Sequence, residues 1–399
     1  MLDWLIIGGG IHGTYLSLYL TQRKGIPPER LRVLDPQPQP LALWKQFTSN
    51  CGMEYLRSSH AHNLHFDPFS LVTFTRTQQG QPLARFIEPY GRPSLELFNA
   101  HCDHVIDRYK LDTLRLVGRA QGLTHTADGW RIESDQGSLE ARNAIVAFGN
   151  TERPVWPEWA QAARQTGAPI YHLFDTAFER HQLVADVDTV VVGGGITAAQ
   201  CALSLAVQSP GKVTLLTRHT PRLHQFDADL GWITHQYLDS FHAEADNSRR
   251  RAMIQNARHR GSMPADVARE FQRALELNLL VQRMDEVVSV ERYKDVGTAF
   301  LPSAASLALH LASGDRLETR QLVLATGFES SRPGGAWLDE AIGQYEFPRA
   351  PDGYPIVDEC LRWSAGLYVC GSLAELEIGP VARNFIGAKL AAERIGAVV

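Results

Sequence analysis

The sequence predicts an α/β protein made of two Rossmann-like dinucleotide-binding domains, one inserted into the other. Two glycine motifs support this prediction. G-G-G-I-H-G at residues 8–13 follows the apolar run 4–7, and G-G-G-I-T-A at 193–198 follows the apolar run 189–192. Each motif stands where a buried parallel strand turns into a helix. A third observation is an internal repeat, because each motif is followed by a meander, an apolar strand and a glycine-containing exit.

The small residues in both motifs are spaced to suit a bound pyrophosphate. In the pattern G-x-G-x-x-G/A, the first glycine permits a tight turn and the second lets the backbone approach the phosphates. The third position must be small so that helix and strand can pack, and the N–H groups of the first helical turn face the phosphates. The residues expected at the cofactors are Gly8, Gly10, Gly13, Gly193, Gly195 and Ala198.

The residue that ends the second strand of each unit distinguishes the two sites. Asp35 stands about 20 residues beyond the first motif, where a carboxylate accepts hydrogen bonds from ribose hydroxyls. The second unit has Arg218 at the equivalent place, and arginine suits the 2′-phosphate of NADPH. The alternative for Arg218 is a solvated charge at a strand end. A flavin between a nicotinamide and a substrate explains such a pair of sites, so we expect FAD in the first unit.

Bulk properties exclude several function classes. The chain has 399 residues, a net charge of −5 and a sequence pI near 6.3, so no basic field favours nucleic acid. No apolar run approaches the ~20 residues of a membrane span, and the first strand starts too early for a signal peptide. The five cysteines form no C-x-x-C pair, which suits a reducing cytoplasm, and no His/Cys cluster has zinc spacing.

The first half of the chain is predicted to begin with a strand, a helix over 11–23 and a second strand that ends at Asp35. A long irregular segment over 36–91 follows, and a segment of this length inside a compact protein is usually functional. The next expected elements are a helix over 93–109, short strands at 114–117, 123–125 and 130–133, and a return strand at 144–147 that exits through Gly149.

The second half repeats this order around a helical insertion at about 225–277. The insertion includes a run of arginines within 249–260, which are either a solvated face or partly a site for NADPH phosphates: Arg249, Arg250, Arg251, Arg258 and Arg260. A return strand at 321–324 exits through Gly327. The expected domains are an FAD domain over 1–172, an NADPH domain over 173–320 and the rest of the FAD domain over 321–399.

The tail is expected to complete the flavin site. A strand at 367–370 enters Gly371, which permits close approach by the cofactor. Gly379 precedes a helix expected over 380–395, with Pro380 in its first turn. The N-terminus of this helix is expected to face the flavin pyrimidine ring, where negative charge develops on reduction, and the alternative is a purely structural helix.

Two segments give the chain a family resemblance. M-E-Y-L-R-S at 53–58 leads to D-P-F-S-L at 67–71, and R-P-S-L-E-L-F at 92–98 follows. With the two motifs and the two A-x-G exits, the chain resembles class B flavoprotein monooxygenases, and more narrowly the ornithine/lysine N-hydroxylases of siderophore biosynthesis. The resemblance implies an FAD domain built from both chain ends with the NADPH domain inserted between them.

The resemblance also implies roles for the loop that passes over the flavin. Met53 would lie near the isoalloxazine ring, or alternatively would fill the core. The family's substrate-contacting lysine has no counterpart in S-H-A-H-N-L at 59–64, which puts ornithine and lysine as substrates in doubt. Gly371-Ser372 also departs from the Gly-Asp that many such flavoproteins direct at the ribityl chain.

The same loop supplies the candidate catalytic residues. His60, His62 and, less directly, His65 are expected to handle protons near neutral pH, or to be polar surface residues. Asn63 and Asn384 are candidate hydrogen-bond donors to substrate or flavin. Arg57 is expected either to clamp an anionic group or to make an ordinary ion pair.

The cofactors define the expected reaction. NADPH reduces FAD, the reduced flavin reacts with O₂, and the resulting C4a-(hydro)peroxyflavin oxygenates a small metabolite. The alternative is an oxidoreductase that passes electrons to another acceptor without oxygen insertion, and a non-enzymatic nucleotide-binding module is a third reading. The expected partners are a small-molecule substrate and O₂, with no nucleic acid or membrane, and a homo-oligomer is compatible with the sequence.

Overall fold

The computed structural model describes residues 1–294 and 305–399. Within them the strands β1 to β20 are Leu2–Ile7, Leu31–Asp35, Phe86–Ile87, Arg92–Pro93, Arg115–Val117, Ala120–Thr126, Gly129–Ser134, Gly137–Val146, Ile170–His172, Thr189–Val192, Val213–Thr217, Arg222–Leu223, Ser262–Met263, Leu280–Met284, Val287–Lys294, Ala305–Leu311, Arg316–Thr319, Gln321–Leu324, Arg362–Ser364 and Leu367–Val369. The helices α1 to α12 are Ile11–Gln22, Ala42–Asn50, Ser70–Phe74, Leu95–Tyr109, Glu158–Gln165, Ile196–Gln208, His235–Ala243, Asn247–Ala257, Ala265–Glu276, Ala336–Tyr345, Glu375–Ile378 and Phe385–Gly396.

The first sheet joins the two ends of the chain. Its order is β19-β20-β8-β1-β2-β5, and β1 runs parallel to β2 on one side and to β8 on the other. The late strand β20 extends the sheet beside β8, also in parallel. Leu5 and Ile6 of β1 are fully buried, as in a parallel strand whose two faces are covered. The first glycine motif therefore emerges in mid-sheet, at the carboxyl edge.

The second sheet is entirely parallel and confirms the predicted two-domain α/β fold. Its order is β14-β11-β10-β18-β9, with β10 in the middle and the second glycine motif at its end. The pairing includes residues 170–172 and 321–324, which the expected boundaries placed in the FAD domain. These two strands belong to the second sheet because β18 pairs along its length with β10, and β9 pairs with β18.

The segment 36–91 is more regular than the sequence predicts. It contains α2, α3 and the short strand β3. The helix α2 forms because its aromatic side chains have a buried surface to pack on: the Trp44 ring lies 5.7 Å from that of Phe98 and 5.5 Å from that of Phe385. The expected helix over 93–109 begins instead at Leu95, since the Ser94 hydroxyl caps it by accepting the N–H of Leu97.

The tail helix begins later than its sequence predicts. A 3₁₀ turn occupies Pro380–Arg383, and α12 begins at Phe385. The cause is Asn384, whose extended backbone interrupts the helix and whose side chain accepts the N–H of Gly387 at 3.2 Å. Asn384 is therefore a helix cap through its side-chain oxygen, and donation from its Nδ2 to substrate or flavin stays a prediction.

The helical insertion contains α7, α8 and α9 and packs against the tail of the chain. Across the residues that the structure describes, no helix combines the length and apolar character required to cross a membrane.

Candidate dinucleotide sites and active site

The first glycine motif forms a cradle that larger residues would fill. Gly8 adopts a φ of +108°, and a Cβ on Gly13 would lie 1.8 Å from the Gly8 carbonyl oxygen. The position of a Cβ on Gly10 has no atom within 4 Å, so space is open in front of the turn. No side chain caps α1, which leaves its first N–H groups available to an anion.

Asp35 lies beside this cradle and is held by the protein itself. Its carboxylate accepts the N–H of Gly9 at 2.5 Å and that of Gln37 at 2.8 Å. Arg115, which the sequence reading missed, donates from Nη2 to Asp35 at 2.9 Å and from Nη1 to the Gly9 carbonyl oxygen at 3.1 Å. The Arg115–Asp35 pair therefore braces the turn at the point where the motif begins.

The tail of the chain closes over the start of α1. A Cβ on Gly371, whose φ is +65°, would lie 3.6 Å from the ring of His12. His12 donates from Nε2 to the Ala382 carbonyl oxygen at 2.8 Å. The buried Ser372 hydroxyl has no hydrogen-bond partner among the described residues and lies near Gly149. An open glycine turn with an unpartnered buried hydroxyl fits a polar cofactor between the motif and the tail.

The His12 side chain joins the motif to the tail. Burial lowers the pKa of His12 to about 4. The unfolded chain takes up this proton near pH 6.5, whereas the folded chain resists until about pH 4. The stability contributed by neutral His12 is therefore complete above pH 6.5 and is lost as the pH falls toward 4.

We expect His12→Gln to remove part of the acid sensitivity of the protein. Between pH 7.5 and 5.0, the free energy of unfolding of the wild type should fall by about 2 kcal/mol more than that of His12→Gln, which does not titrate. Urea unfolding of the FAD-loaded proteins at both pH values measures the difference. Burial also lowers the pKa of His101 to about 3 and of His172 to about 4, but they contribute equally in both proteins. Parallel pH profiles of the two proteins would contradict the assignment.

The second glycine motif repeats the geometry of the first. Gly193 has a φ of +155°, and a Cβ there would lie 2.7 Å from the carbonyl oxygen of Ala325 and 3.0 Å from the Cβ of Ala198. Ala198 is fully buried, so a small residue is required at this position. The helix α6 begins at Ile196 without a side-chain cap. The two motifs thus present two similar uncapped helix N-termini.

Three residues with basic side chains lie at or near the second motif in the fold or the sequence. Arg218 is 75% exposed and lies 3.4 Å from Glu286. The ring of His219 stands 2.9 Å from the position of a Cβ on Gly194. Arg260 precedes Gly261 in the chain, and the Cα of Gly261 lies 3.4 Å from the position of a Cβ on Gly195, so Arg260 is the member of the arginine run nearest in sequence to this contact.

Most of the arginines within 249–260 bind other parts of the protein. They therefore form neither the solvated face nor the NADPH phosphate site that the sequence suggested. Arg251 and Arg258 pair with Glu375, a fully buried residue of α11 that also pairs with Arg383. We call these four residues the Glu375 cluster. Burial alone would raise the pKa of Glu375, but the neighbouring arginines Arg258 and Arg383 hold it below its usual value. The cluster joins the insertion to the tail, whereas Arg250 donates to backbone carbonyls and exposed Arg249 lies near two carboxylates.

The segments that follow β8 and β18, one from each sheet, lie side by side. The Asn150 side chain donates to the carbonyl oxygens of Glu329 at 2.6 Å and Ser331 at 3.1 Å, which joins the segments that follow Gly149 and Gly327. Gly327 has a φ of +83° and open space at its Cβ position. Gly379 differs, because a Cβ there would lie 3.6 Å from the Trp232 ring of the insertion. Gly379 therefore contacts the insertion instead of an open cradle.

The loop over 51–69 holds the predicted catalytic residues. Asn63 is buried and donates from Nδ2 to the carbonyl oxygens of His60 at 3.1 Å and Pro68 at 3.2 Å. Its Oδ1 accepts the N–H of His65 at 2.8 Å. These bonds use the amide within the loop, so Asn63 braces the loop and has no group left for a substrate. The His65 ring contacts the Tyr109 hydroxyl at 3.1 Å.

His60 and His62 are the two predicted catalytic histidines of this loop. The Nδ1 of His60 is buried without a hydrogen-bond partner among the described residues, and its ring packs at Gly91. Burial lowers the pKa of His62, and the nearby positive charges of Lys389 and His60 lower it further. Met53 is partly buried against the core of the first domain. No described hydrogen bond links these three side chains to either glycine motif.

Arg57 connects this loop to the insertion. Its guanidinium donates to three carbonyl oxygens of the segment 224–227, to the carboxylate of Asp227 and to the hydroxyl of Ser262, at 2.6 to 2.9 Å. Arg57 therefore makes neither a free anion clamp nor a simple ion pair, since it fastens the loop to the base of the insertion.

Comparisons with known proteins agree with this architecture. The family model of L-lysine 6-monooxygenase/L-ornithine 5-monooxygenase matches residues 104–330, more than half of the chain, and an FAD-NAD(P)-binding model matches residues 5–151. No curated protein sequence matches the chain.

Solved structures resemble the chain over nearly its full length. An L-lysine 6-monooxygenase from Pseudomonas syringae has 18% identity and a TM-score of 0.73, covering 100% of this chain and 99% of its own. An ornithine N-hydroxylase from Kutzneria sp. 744, with reduced FAD, NADP⁺ and L-ornithine, has 15% identity and a TM-score of 0.73, covering 100% and 98%. A cadaverine monooxygenase from Erwinia amylovora, bound to FAD, has 17% identity and a TM-score of 0.72, covering 99% and 94%. At these identities the likeness concerns the fold.

Proposed function

Because this chain belongs to the L-lysine 6-monooxygenase/L-ornithine 5-monooxygenase family, we propose that it hydroxylates the terminal primary amine of a small metabolite. The family is one of flavin-dependent, NADP-dependent monooxygenases, which confirms the predicted cofactors FAD and NADPH and the predicted reaction class. The observation that carries the proposal is the pair of glycine-lined helix N-termini that have no side-chain cap. Asn150 joins the two segments that leave the neighbouring strands of the two sheets.

We assign FAD to the first site and NADPH to the second. The N–H groups of α1 would bind the FAD pyrophosphate, and Asp35 would stand at the ribose. Gly371 and Gly149 would allow close approach, and the unpartnered Ser372 hydroxyl would bind the cofactor. Bound FAD supplies hydride acceptance and reaction with O₂, while the protein positions the rings and excludes water.

The loop over 51–69 would complete the substrate side of the site. A primary amine must lose a proton before its nitrogen can act as a nucleophile, and a neutral histidine can accept that proton. His62 suits this role because burial keeps its pKa below the usual value. His60, with its unpartnered Nδ1, would bind the substrate or relay the proton. Met53 would pack at the flavin, and Asn63 would hold the loop in shape.

The substrate need not be lysine or ornithine themselves. The loop has no lysine at 59–64, so the contact that the family makes through that residue is missing here. We therefore propose an amine-bearing metabolite of similar size whose other end is recognised differently. A cytoplasmic location is part of the same proposal, since the five cysteines are unpaired and four of them are buried.

The decisive experiment measures how NADPH oxidation is coupled to product. The FAD-loaded protein is incubated with NADPH, O₂ and a panel of amines that includes L-lysine, L-ornithine and cadaverine, and hydroxylamine product and hydrogen peroxide are both quantified. We expect at least one amine to yield hydroxylamine in proportion to the NADPH consumed. If hydrogen peroxide accounts for all NADPH with every amine, or if another electron acceptor replaces O₂, the protein passes electrons without inserting oxygen.

Arg218→Ala should reduce the preference for NADPH over NADH. A charge-assisted contact to the 2′-phosphate is worth about 1.5–3 kcal/mol, so the KM for NADPH should rise about 10- to 100-fold while that for NADH stays unchanged. Steady-state flavin reduction with both nucleotides measures this. Arg316→Ala, which removes a half-exposed arginine of the same domain, is the matched control. An unchanged KM for NADPH in Arg218→Ala would leave Arg218 as a solvated charge.

A further inference from the structure

A cleft separates the loop over 51–69 from the second domain. It is lined by residues of the segment 52–55, by α6 from Gln200 to Val207 and by α9 from Asp266 to Ala274, and its volume is about 440 Å³. Small-molecule sites typically measure roughly 300–1,000 Å³. A more open depression of about 720 Å³ lies around Met1 and Leu2, at the amino end of β1, away from both glycine motifs.

The cleft combines carboxylates with an apolar wall. Glu54, Asp266 and Glu270 line it together. Burial raises the pKa of Glu270, and the charges of Glu54 and Asp266 raise it further, so the three groups influence one another. Among the described residues, Glu54 and Glu270 form no ion pair. The apolar wall consists of aliphatic side chains: Ile87, Leu203, Val207, Val267, Leu277 and Leu279.

Two buried polar side chains at the cleft have unused hydrogen-bonding capacity. Arg92 is 2% exposed; it donates to Asp266 at 2.7 Å and to the Leu56 carbonyl oxygen at 2.8 Å, but its Nη2 has no partner among the described residues. Gln200 is 7% exposed, and its Oε1 likewise lacks a partner there. Buried groups of this kind are normally satisfied, so they indicate a missing polar component at this wall. A second cation, Arg273, also lines the cleft.

We propose that this cleft binds a zwitterionic amino acid with an apolar side chain. The ammonium group would lie between Glu54 and Glu270, the carboxylate would meet Arg273 and the Arg92 side of the cleft, and the aliphatic stem would pack on Leu203, Val207 and Leu277. An ammonium between two unpaired carboxylates relieves their mutual repulsion, and an apolar stem removes exposed aliphatic surface from water.

The cleft is separate from both dinucleotide sites. Along α6, Gln200 and Val207 lie about 6 and 16 Å from Ile196, where the helix presents its N–H groups to NADPH. The neighbouring segment nevertheless belongs to the loop of the proposed active site. Met53 packs into the core of the first domain, while its neighbours Gly52, Glu54 and Tyr55 line the cleft.

Equilibrium dialysis of the FAD-loaded protein with radiolabelled L-norleucine tests the proposal. L-norleucine has both charges and an apolar stem but no terminal amine to hydroxylate, so its binding does not depend on the proposed reaction. We expect saturable binding with a dissociation constant of about 1 mM or tighter. Hexanoate, which lacks the ammonium group, should compete at least about tenfold more weakly.

Variants locate the site. Glu54→Gln combined with Glu270→Gln should weaken L-norleucine binding about tenfold or more, without changing the flavin spectrum or the rate of flavin reduction by NADPH. Glu276→Gln makes the same chemical change on α9 outside the cleft and should bind like the wild type. Val207→Trp, at a largely exposed position on the rim, should also weaken binding by obstruction. Absent binding to the wild type, or equal binding by all variants, would overturn the proposal.

Discussion

Replacing Gly13 by alanine should abolish retention of FAD. The new Cβ would lie 1.8 Å from the Gly8 carbonyl oxygen, a distance that no rotation of the added methyl group relieves because both atoms belong to the backbone framework. The turn must open, which costs at least roughly 1–3 kcal/mol of folding stability. Opening also displaces the N–H groups that bind the pyrophosphate, so FAD affinity should fall about 100-fold or more. Flavin absorbance after gel filtration and urea unfolding of the apoprotein measure the two effects.

Two other glycines provide the controls. Gly343 lies inside α10 with open space at its Cβ position, so Gly343→Ala should leave FAD binding unchanged and stabilise the helix by up to about 1 kcal/mol. Gly10 also has open space there, so Gly10→Ala should leave the apoprotein stable and weaken FAD binding alone. Full flavin retention by Gly13→Ala would contradict the assignment of this glycine turn to the FAD pyrophosphate. Full retention by Gly10→Ala would show that the phosphates do not bind in front of Gly10.

Glu375→Gln should destabilise the protein by about 3–5 kcal/mol. Glu375 is fully buried, and its loss leaves Arg251, Arg258 and Arg383 facing one another without their shared counter-charge. Removing one partner of a buried ion pair typically costs this much. Because Arg258 also donates to the Pro380 carbonyl oxygen at 3.1 Å, the tail beside α12 should loosen as well. We therefore expect weaker FAD binding, together with faster hydrogen exchange in α8 and the 3₁₀ turn at 380–383.

The matched control is Glu340→Gln on an exposed face of α10, which should change the free energy of unfolding by less than about 0.5 kcal/mol. A second variant separates charge from packing. Glu375→Met combined with Arg251→Met and Arg258→Met removes Glu375 together with its two more buried partners and leaves only the partly exposed Arg383, so it should be less destabilising than Glu375→Gln. If Glu375→Gln has the stability and FAD affinity of Glu340→Gln, the cluster does not hold the insertion to the tail.

The parts of the molecule that local patterns dictate could be predicted from the sequence. The glycine motifs and the apolar strands beside them depend on residues close in the chain, and each takes its expected place. The segment over 42–50 could not be predicted as a helix because its Trp44 side chain packs on Phe98 and Phe385, far away in sequence. Strand membership at 170–172 and 321–324 is likewise a property of pairing between distant segments.

The site residues show the same division. Gly13 and Ala198 follow from a motif, but Arg115 and Glu375 have no local signature. A faint signal for Glu375 was a carboxylate inside the largely apolar stretch 373–378, where an unpaired charge would be costly. Two of its three partners, Arg251 and Arg258, come from α8 and the residue after it, more than a hundred residues earlier, so only the folded chain identifies them. The reverse case is Asn63, whose residue type suggested catalysis and whose bonds lie within its own loop.

The hydrogen bonds of Arg57 limit how the loop over 51–69 can move relative to the insertion during turnover. Because one guanidinium ties the loop over 51–69 to the base of the insertion, neither can swing outward alone. Any movement that opens the loop side of the proposed active site would therefore have to displace the insertion as well, or break the Arg57 hydrogen bonds first.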